Sequence, residues 1–169
     1  MSATHPSHAH DSGAHEHGGM AGSHYGRLLV MIALSYIAMY GFMYAMVNAF
    51  GNVYLNINNV YMAGLMAAPM LVIELAVMGA MYGNKKLNAA LIATGAVALA
   101  VFWVCMRQQT AVGDTQFLRS MIPHHAGAIL MCRKAPIGDA EIKDLCKDIV
   151  SSQQREIDQM KDILARLEQ

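Results

Sequence analysis

Charge is what this 169-residue chain is short of. Only 14% of its residues are Asp, Glu, Lys or Arg, against roughly 25% in average soluble chains, while 55% are hydrophobic. That balance excludes an ordinary soluble domain over most of the length. The formal net charge is zero, and there is no Lys/Arg cluster of the kind that tracks phosphates, so no nucleic acid is expected as a partner. Cysteine is scarce as well. Cys105, Cys132 and Cys146 are too few for a disulfide framework and lack Cys-x-x-Cys spacing.

What the chain has instead is long apolar runs. Leu28 to Phe50, Val60 to Tyr82 and Leu87 to Met106 each reach the ~20 residues a helix needs to cross a bilayer, and Glu74 is the only charge inside them. The Asn-rich stretch Gly51 to Asn59 and the basic turn Gly83-Asn84-Lys85-Lys86 separate the runs. The expected architecture is all-α, in three parts: a disordered His-rich tail (1–26), a three-helix transmembrane domain (27–106, with spans 28–50, 60–82 and 87–106), and an extramembrane antiparallel helical hairpin (107–169). The first run is longer than a signal-peptide core and lies behind a polar tail, so it reads as an uncleaved anchor. Arg27, Lys85 and Lys86 on one side outnumber Arg107 and Arg119 on the other. That bias predicts a bacterial inner-membrane protein with a cytoplasmic N-terminus and a periplasmic hairpin.

The tail carries His5, His8, His10, His15, His17 and His24 among Gly, Ser and Ala. It has too little apolar surface to fold alone, and its composition reads as unselective transition-metal binding. The spacing is more irregular than a purification tag.

After Arg107 the pattern changes. Phe117, Met121, His124, Ala128 and Met131 recur at helical spacing behind Asp114, a residue suited to an N-cap. Pro136 and Gly138 break the chain. A second helix is expected from about Asp139, with a heptad seam Ile142, Cys146, Ile149, Gln153, Glu156, Met160, Ile163 and Leu167. Folding back about residue 137 sets 121 opposite about 153 and 125 opposite about 149. The two histidines then come within about a turn of Gln153 and Glu156. A carboxylate buried in the seam costs several kcal/mol unless it is paired or metal-bound, which makes this the best candidate site.

Within "SMIPHHAGAILMC" the adjacent His124 and His125 point ~100° apart. Met121 precedes them by three and four residues and can share a site with either. Met131 and Cys132 follow them on the same two stripes. Thioether and imidazole together favour Cu(I) over hard cations, and Pro123 removes a backbone donor beside the histidines. Packing is the alternative, with one core histidine and Met121 as filler.

The run from Asp114 through "FLRSMIPHHAGAILM", together with "QQREIDQM" at 153–160, resembles the bacterial domain of unknown function numbered 305, a ferritin-like helical domain whose members include periplasmic copper-binding proteins. The likeness covers roughly residues 110–169. It implies a metal-binding hairpin with Met121, His124, His125, Met131 and Met160 as ligands and Glu156 as the seam acid. Apart from the resemblance, Gln153, Cys132 and Cys146 are further candidates by position. Many relatives have a doubled domain that closes a four-helix bundle, whereas one hairpin is half a bundle. A homo-oligomer, or packing onto another chain, is therefore expected. Cys132 and Cys146 fall outside the pattern, and a disulfide, Cu(I) thiolates and core thiols all stay open.

Met62, Met66, Met70, Glu74 and Met78 are spaced by four in the second run, with Met39, Met43 and Met46 in the first beside Tyr36, Tyr40 and Tyr44. Such a stripe serves helix packing, or else the ionisable Glu74 marks a pathway, partnered by a tyrosine hydroxyl, Asn48, Lys85 or a passing cation. Three spans, a His/Met-bearing N-terminus and Met-x-x-x-Met also resemble the Ctr-type copper permeases, which are trimers conducting Cu(I) between methionines. Those permeases keep the N-terminus outside and carry Gly-x-x-x-Gly in the third span, where this chain has only Gly95.

The expected function is non-enzymatic: a membrane-anchored, lipid-embedded protein that binds copper as Cu(I), or another transition metal, for sequestration, relay or resistance, exchanging it with a donor or acceptor protein. Copper translocation along the Met/Glu stripe is the alternative. A di-iron ferritin-like oxidase is a lesser one, because Gln153-x-x-Glu156 with no carboxylate beside the histidines leaves its Glu-x-x-His set incomplete.

Overall fold

The computed structural model describes residues 17–169, with side chains from His24 onward. These residues form five helices and no strand: α1 (His17–Phe42), α2 (Ile57–Met78), α3 (Lys85–Gln108), α4 (Asp114–Lys134) and α5 (Ala140–Leu167). Short 3-10 turns occupy Met43–Met46, Phe50–Asn52 and Gly79–Met81. Of the tail histidines, His5, His8, His10 and His15 lie outside the described residues, whereas His17 opens α1 and His24 lies on it. Once the apolar run supplies a helical nucleus, extension into the tail adds one hydrogen bond per residue fixed.

Three stretches, His24–Met46, Ile57–Met81 and Lys85–Gln108, are long and apolar enough to cross a membrane. The second and third start earlier than their apolar runs because asparagines cap them. Asn56 Oδ1 accepts from Asn59 N at 2.9 Å, and Asn84 Oδ1 accepts from Leu87 N at 3.0 Å, each satisfying a backbone donor that the helix start leaves unpaired. The polar stretch before the second run therefore gives Ile57–Asn59 to α2.

Helix α2 packs on both α1 and α3, and its buried face is small-residue rich: Ala63, Gly64, Ala67, Ala68, Leu71 and Leu75. Small residues let helix backbones approach closely. A Cβ at Gly64 would come within 2.5 Å of the Phe102 ring, and one at Gly95 within 2.9 Å of Val72. Pro69 sits inside α2 without ending it.

Helices α4 and α5 pack together and run antiparallel, with a Cys132–Cys146 disulfide near their connection and an Arg119–Glu168 ion pair of 2.7 Å at the far end. Asp139 caps α5 by accepting from Ile142 N at 3.0 Å. Asp114 is not the cap of α4. Gly113 holds that position with no side-chain bond, and Asp114 sits in the first turn, where its charge complements the helix dipole.

The core between the two helices is Leu118, Ile122, Ala126, Ile129, Ile157 and Leu164, with Val150, Met160 and Ile163 packed against it. This corrects the expected seam. The deepest stripe of α5 passes through Val150, Ile157 and Leu164, one position on from Ile149, Glu156 and Ile163, and Ile142 is 48% exposed. The physical reason is burial cost. Shifting the stripe by one residue puts two fully apolar side chains in the core and leaves the Glu156 carboxylate at its wet edge.

Helix α4 lies over the end of the α1–α3 unit that carries the first loop. Ile57 N donates to Gln116 Oε1 at 3.0 Å, Asn58 Nδ2 to Ser120 Oγ at 3.2 Å, and Tyr61 OH to Thr110 O at 2.6 Å. Gly127 is buried where α4 meets the turn after α1, and a Cβ there would make ordinary contact with the Met46 carbonyl at 3.6 Å.

Candidate functional site

The two adjacent histidines serve different neighbours. Their ring centroids are 6.3 Å apart with the planes inclined at 70°, as a step of one residue around a helix requires. His125 turns to α5. Its Nε2 is 2.7 Å from Glu156 Oε2 and its Nδ1 is 3.0 Å from the Met121 carbonyl oxygen, so both ring nitrogens are occupied. Glu156 is half-exposed, at 52%, rather than buried mid-seam as its place in the heptad had suggested.

His124 turns the other way. It lines a cavity of about 520 Å³ between α4 and the α1–α3 unit, together with Met121 and Met131 of its own helix. Met121 and His124 are three residues apart and share a face. The opposite wall is Met43 and Met46, Met62 of α2 and Met106 near the end of α3. Met43 and Met46 bound a single 3-10 turn, where residues three apart eclipse one another and so point the same way.

Six thioethers and one imidazole thus meet at one place, and no carboxylate or thiol lines it. Among the described residues no three His, Cys, Asp or Glu side chains converge to hold a metal ion. The convergent donors are soft and neutral. Asn58 also lines the cavity. Its Nδ2 donates to Gln109 Oε1 at 3.1 Å and to Ser120 Oγ, while its Oδ1 is buried without a hydrogen-bond partner.

The family model described as "Domain of unknown function (DUF305)" matches residues 73–164. This chain belongs to the DUF305 family. The match begins inside α2, well before the roughly 110–169 over which the motifs carry the likeness. Uncharacterized protein L153 of Acanthamoeba polyphaga mimivirus is 35% identical over 140 residues, covering 81% of this chain and 90% of the viral protein. No solved structure matches.

The remaining site residues of this DUF305 chain fall elsewhere. Met160 packs on the α4–α5 core. Gln153 is half-buried, with an Oε1 that has no partner. Cys132 and Cys146 are joined in a disulfide with Cα atoms 5.2 Å apart, which decides among the three roles left open for them and removes both as thiolate ligands. Cys105 is free.

The Met stripe of α2 does not face α1 or α3. Met62, Met66 and Met78 are exposed, Met66 to 47%, and the buried face of the helix is the small-residue one. Glu74 accepts from Tyr82 OH at 3.4 Å, so its partner is a tyrosine, though none of Tyr36, Tyr40 and Tyr44. Tyr36 donates to Val60 O and Tyr44 to Tyr54 O. Met39 is half-buried on α1. Only Met62 of the α2 stripe reaches the cavity, joined by Met43 from α1's end.

Met106 is the ligand candidate that sequence reasoning missed. Its signal was position: Met46, Met62 and Met106 all lie at the same end of their apolar runs, the end away from Lys85 and Lys86.

Proposed function

We propose that this DUF305 chain is a membrane-anchored copper-binding protein that takes copper as Cu(I) for sequestration or relay and performs no catalysis on it. The observation that carries this is His124 facing six methionines in one cavity with no anionic side chain. Thioether and imidazole are soft-metal ligands. A neutral donor set also suits a monovalent ion, because a dication in an apolar setting needs charge to balance it.

In this reading α1–α3 span the inner membrane of a bacterium, with the N-terminus in the cytoplasm, and the α4–α5 hairpin stands in the periplasm. The Cys132–Cys146 disulfide supports that side, since such bonds persist outside reducing compartments. Phe117, Ile142 and Leu145 expose apolar surface on the hairpin, which suits a second copy completing a four-helix, ferritin-like bundle.

The test is Cu(I) affinity of the full chain in detergent, by anaerobic competition with a Cu(I) chelator. His124→Ala combined with Met121→Leu is expected to weaken binding by at least about tenfold, ~1.4 kcal/mol, while His125→Ala leaves it nearly unchanged. Equal affinity in wild type and the His124/Met121 variant would sink the proposal.

One observation favours copper translocation as a second reading: Met62 belongs to both the cavity and the α2 stripe. Met66→Leu/Met70→Leu/Glu74→Gln in proteoliposomes separates the two, because a buffer is indifferent to these changes and a conduit loses flux.

A further inference from the structure

We infer that the cavity is two facing soft-metal subsites, one built by the α1–α3 unit and one by α4, and that a monovalent ion passes between them. The inference rests on the copper-binding reading above and adds the number of ions and the residues holding each.

Three features of the cavity lead here. The first is donor count. A Cu(I) or Ag(I) ion is satisfied by about three or four soft donors, and seven are present. The second is room. At about 520 Å³ the cavity far exceeds the ~30 Å³ that one water occupies in the liquid, so it has space for more than one small ion. The third is the division of donors between two bodies. Met43, Met46, Met62 and Met106 come from the three apolar helices or the turn that follows α1, and Met121, His124 and Met131 from α4.

The two sets differ in chemistry as well as in place. The α1–α3 set is all thioether, which has no proton to lose near neutral pH. The α4 set includes an imidazole, which binds metal only through a deprotonated nitrogen.

Transfer needs no co-reactant. Each exchange makes one metal–sulfur bond and breaks another, the ion keeps its single positive charge, and no electron moves. Exchange with His124 makes or breaks one metal–nitrogen bond as one metal–sulfur bond breaks or forms. Flexible, unbranched methionine side chains suit such stepwise exchange.

The test is Ag(I) titration of the full chain in detergent by calorimetry, with Cu(I) under anaerobic conditions as a second probe. The background carries Asn at all six tail histidines, so the tail adds no sites. Two ions per chain are expected. Met43→Leu/Met62→Leu/Met106→Leu should remove one and leave the ion held by His124 and Met121. His124→Ala/Met121→Leu should remove the other and leave the thioether-held ion in place. Methionine-to-leucine changes conserve volume, and circular dichroism with thermal melting checks that each variant folds. One ion per chain abolished by either set, or two ions abolished together by either set, overturns separate subsites while leaving copper binding standing. No ion bound overturns both.

Discussion

His125 and Glu156 meet at 2.7 Å across the α4–α5 interface, and that contact leaves His124, one residue earlier, as the histidine turned toward the methionines. The pair thus divides a His-His motif into a member bound to α5 and a member that lines the methionine cavity. Replacing His125 with Ala should destabilise the chain by about 1 kcal/mol, within the range of a half-exposed pair plus lost packing, and leave Cu(I) affinity within about threefold of wild type. Thermal melting and chelator competition on the same sample check this. A large loss of affinity in His125→Ala would mean that the metal displaces Glu156.

The disulfide joins residues separated by 14 positions. By loop-closure entropy such a bond stabilises by roughly 3 kcal/mol. Cys132→Ser/Cys146→Ser should lower the melting temperature and leave Cu(I) affinity unchanged, because neither sulfur lines the cavity. Cu(I) affinity that rises when the disulfide is reduced would instead point to thiolate ligands.

Ile157 is fully buried in the α4–α5 core, whereas Ile142 is largely exposed. Ile157→Ala should cost about 2–5 kcal/mol, and Ile142→Ala should stay within about 0.5 kcal/mol in the monomer. Denaturant melts of the two variants measure the displacement of the seam directly. Equal costs would restore the seam through Ile142, Ile149 and Glu156.

Gly64 and Phe102 set the approach of α2 to α3, since a Cβ at Gly64 would lie within 2.5 Å of the ring. Gly64→Ala should destabilise by about 1–3 kcal/mol, the usual cost of overpacking, and Gly64→Ala/Phe102→Leu should recover part of it. Unfolding in mixed micelles provides the measurement, and a neutral Gly64→Ala would show that the ring moves aside freely.

Much of this protein was settled by the sequence alone. The three apolar stretches, the break at Pro136 and Gly138, and the start of the last helix at Asp139 follow from local properties: length against a bilayer, backbone restriction, and a side chain that caps its own helix. The local cluster of Met121, His124 and Met131 was equally legible, because residues at helical spacing share a face wherever the helix is placed. Other features depended on docking. Whether His124 or His125 faced the seam turned on a rotation of ~100° per residue, and the one-position shift that buried Ile157 instead of Glu156 came from how α5 settled on α4. Cys132 and Cys146 could not be told apart from free thiols until the helix ends met. Met46, Met62 and Met106 stand far apart in the chain, and only the packing of α4 over the ends of α1, α2 and α3 brought them to His124. Spacing along a helix is fixed by covalent geometry, whereas the meeting of distant helices is fixed by which faces bury best against one another.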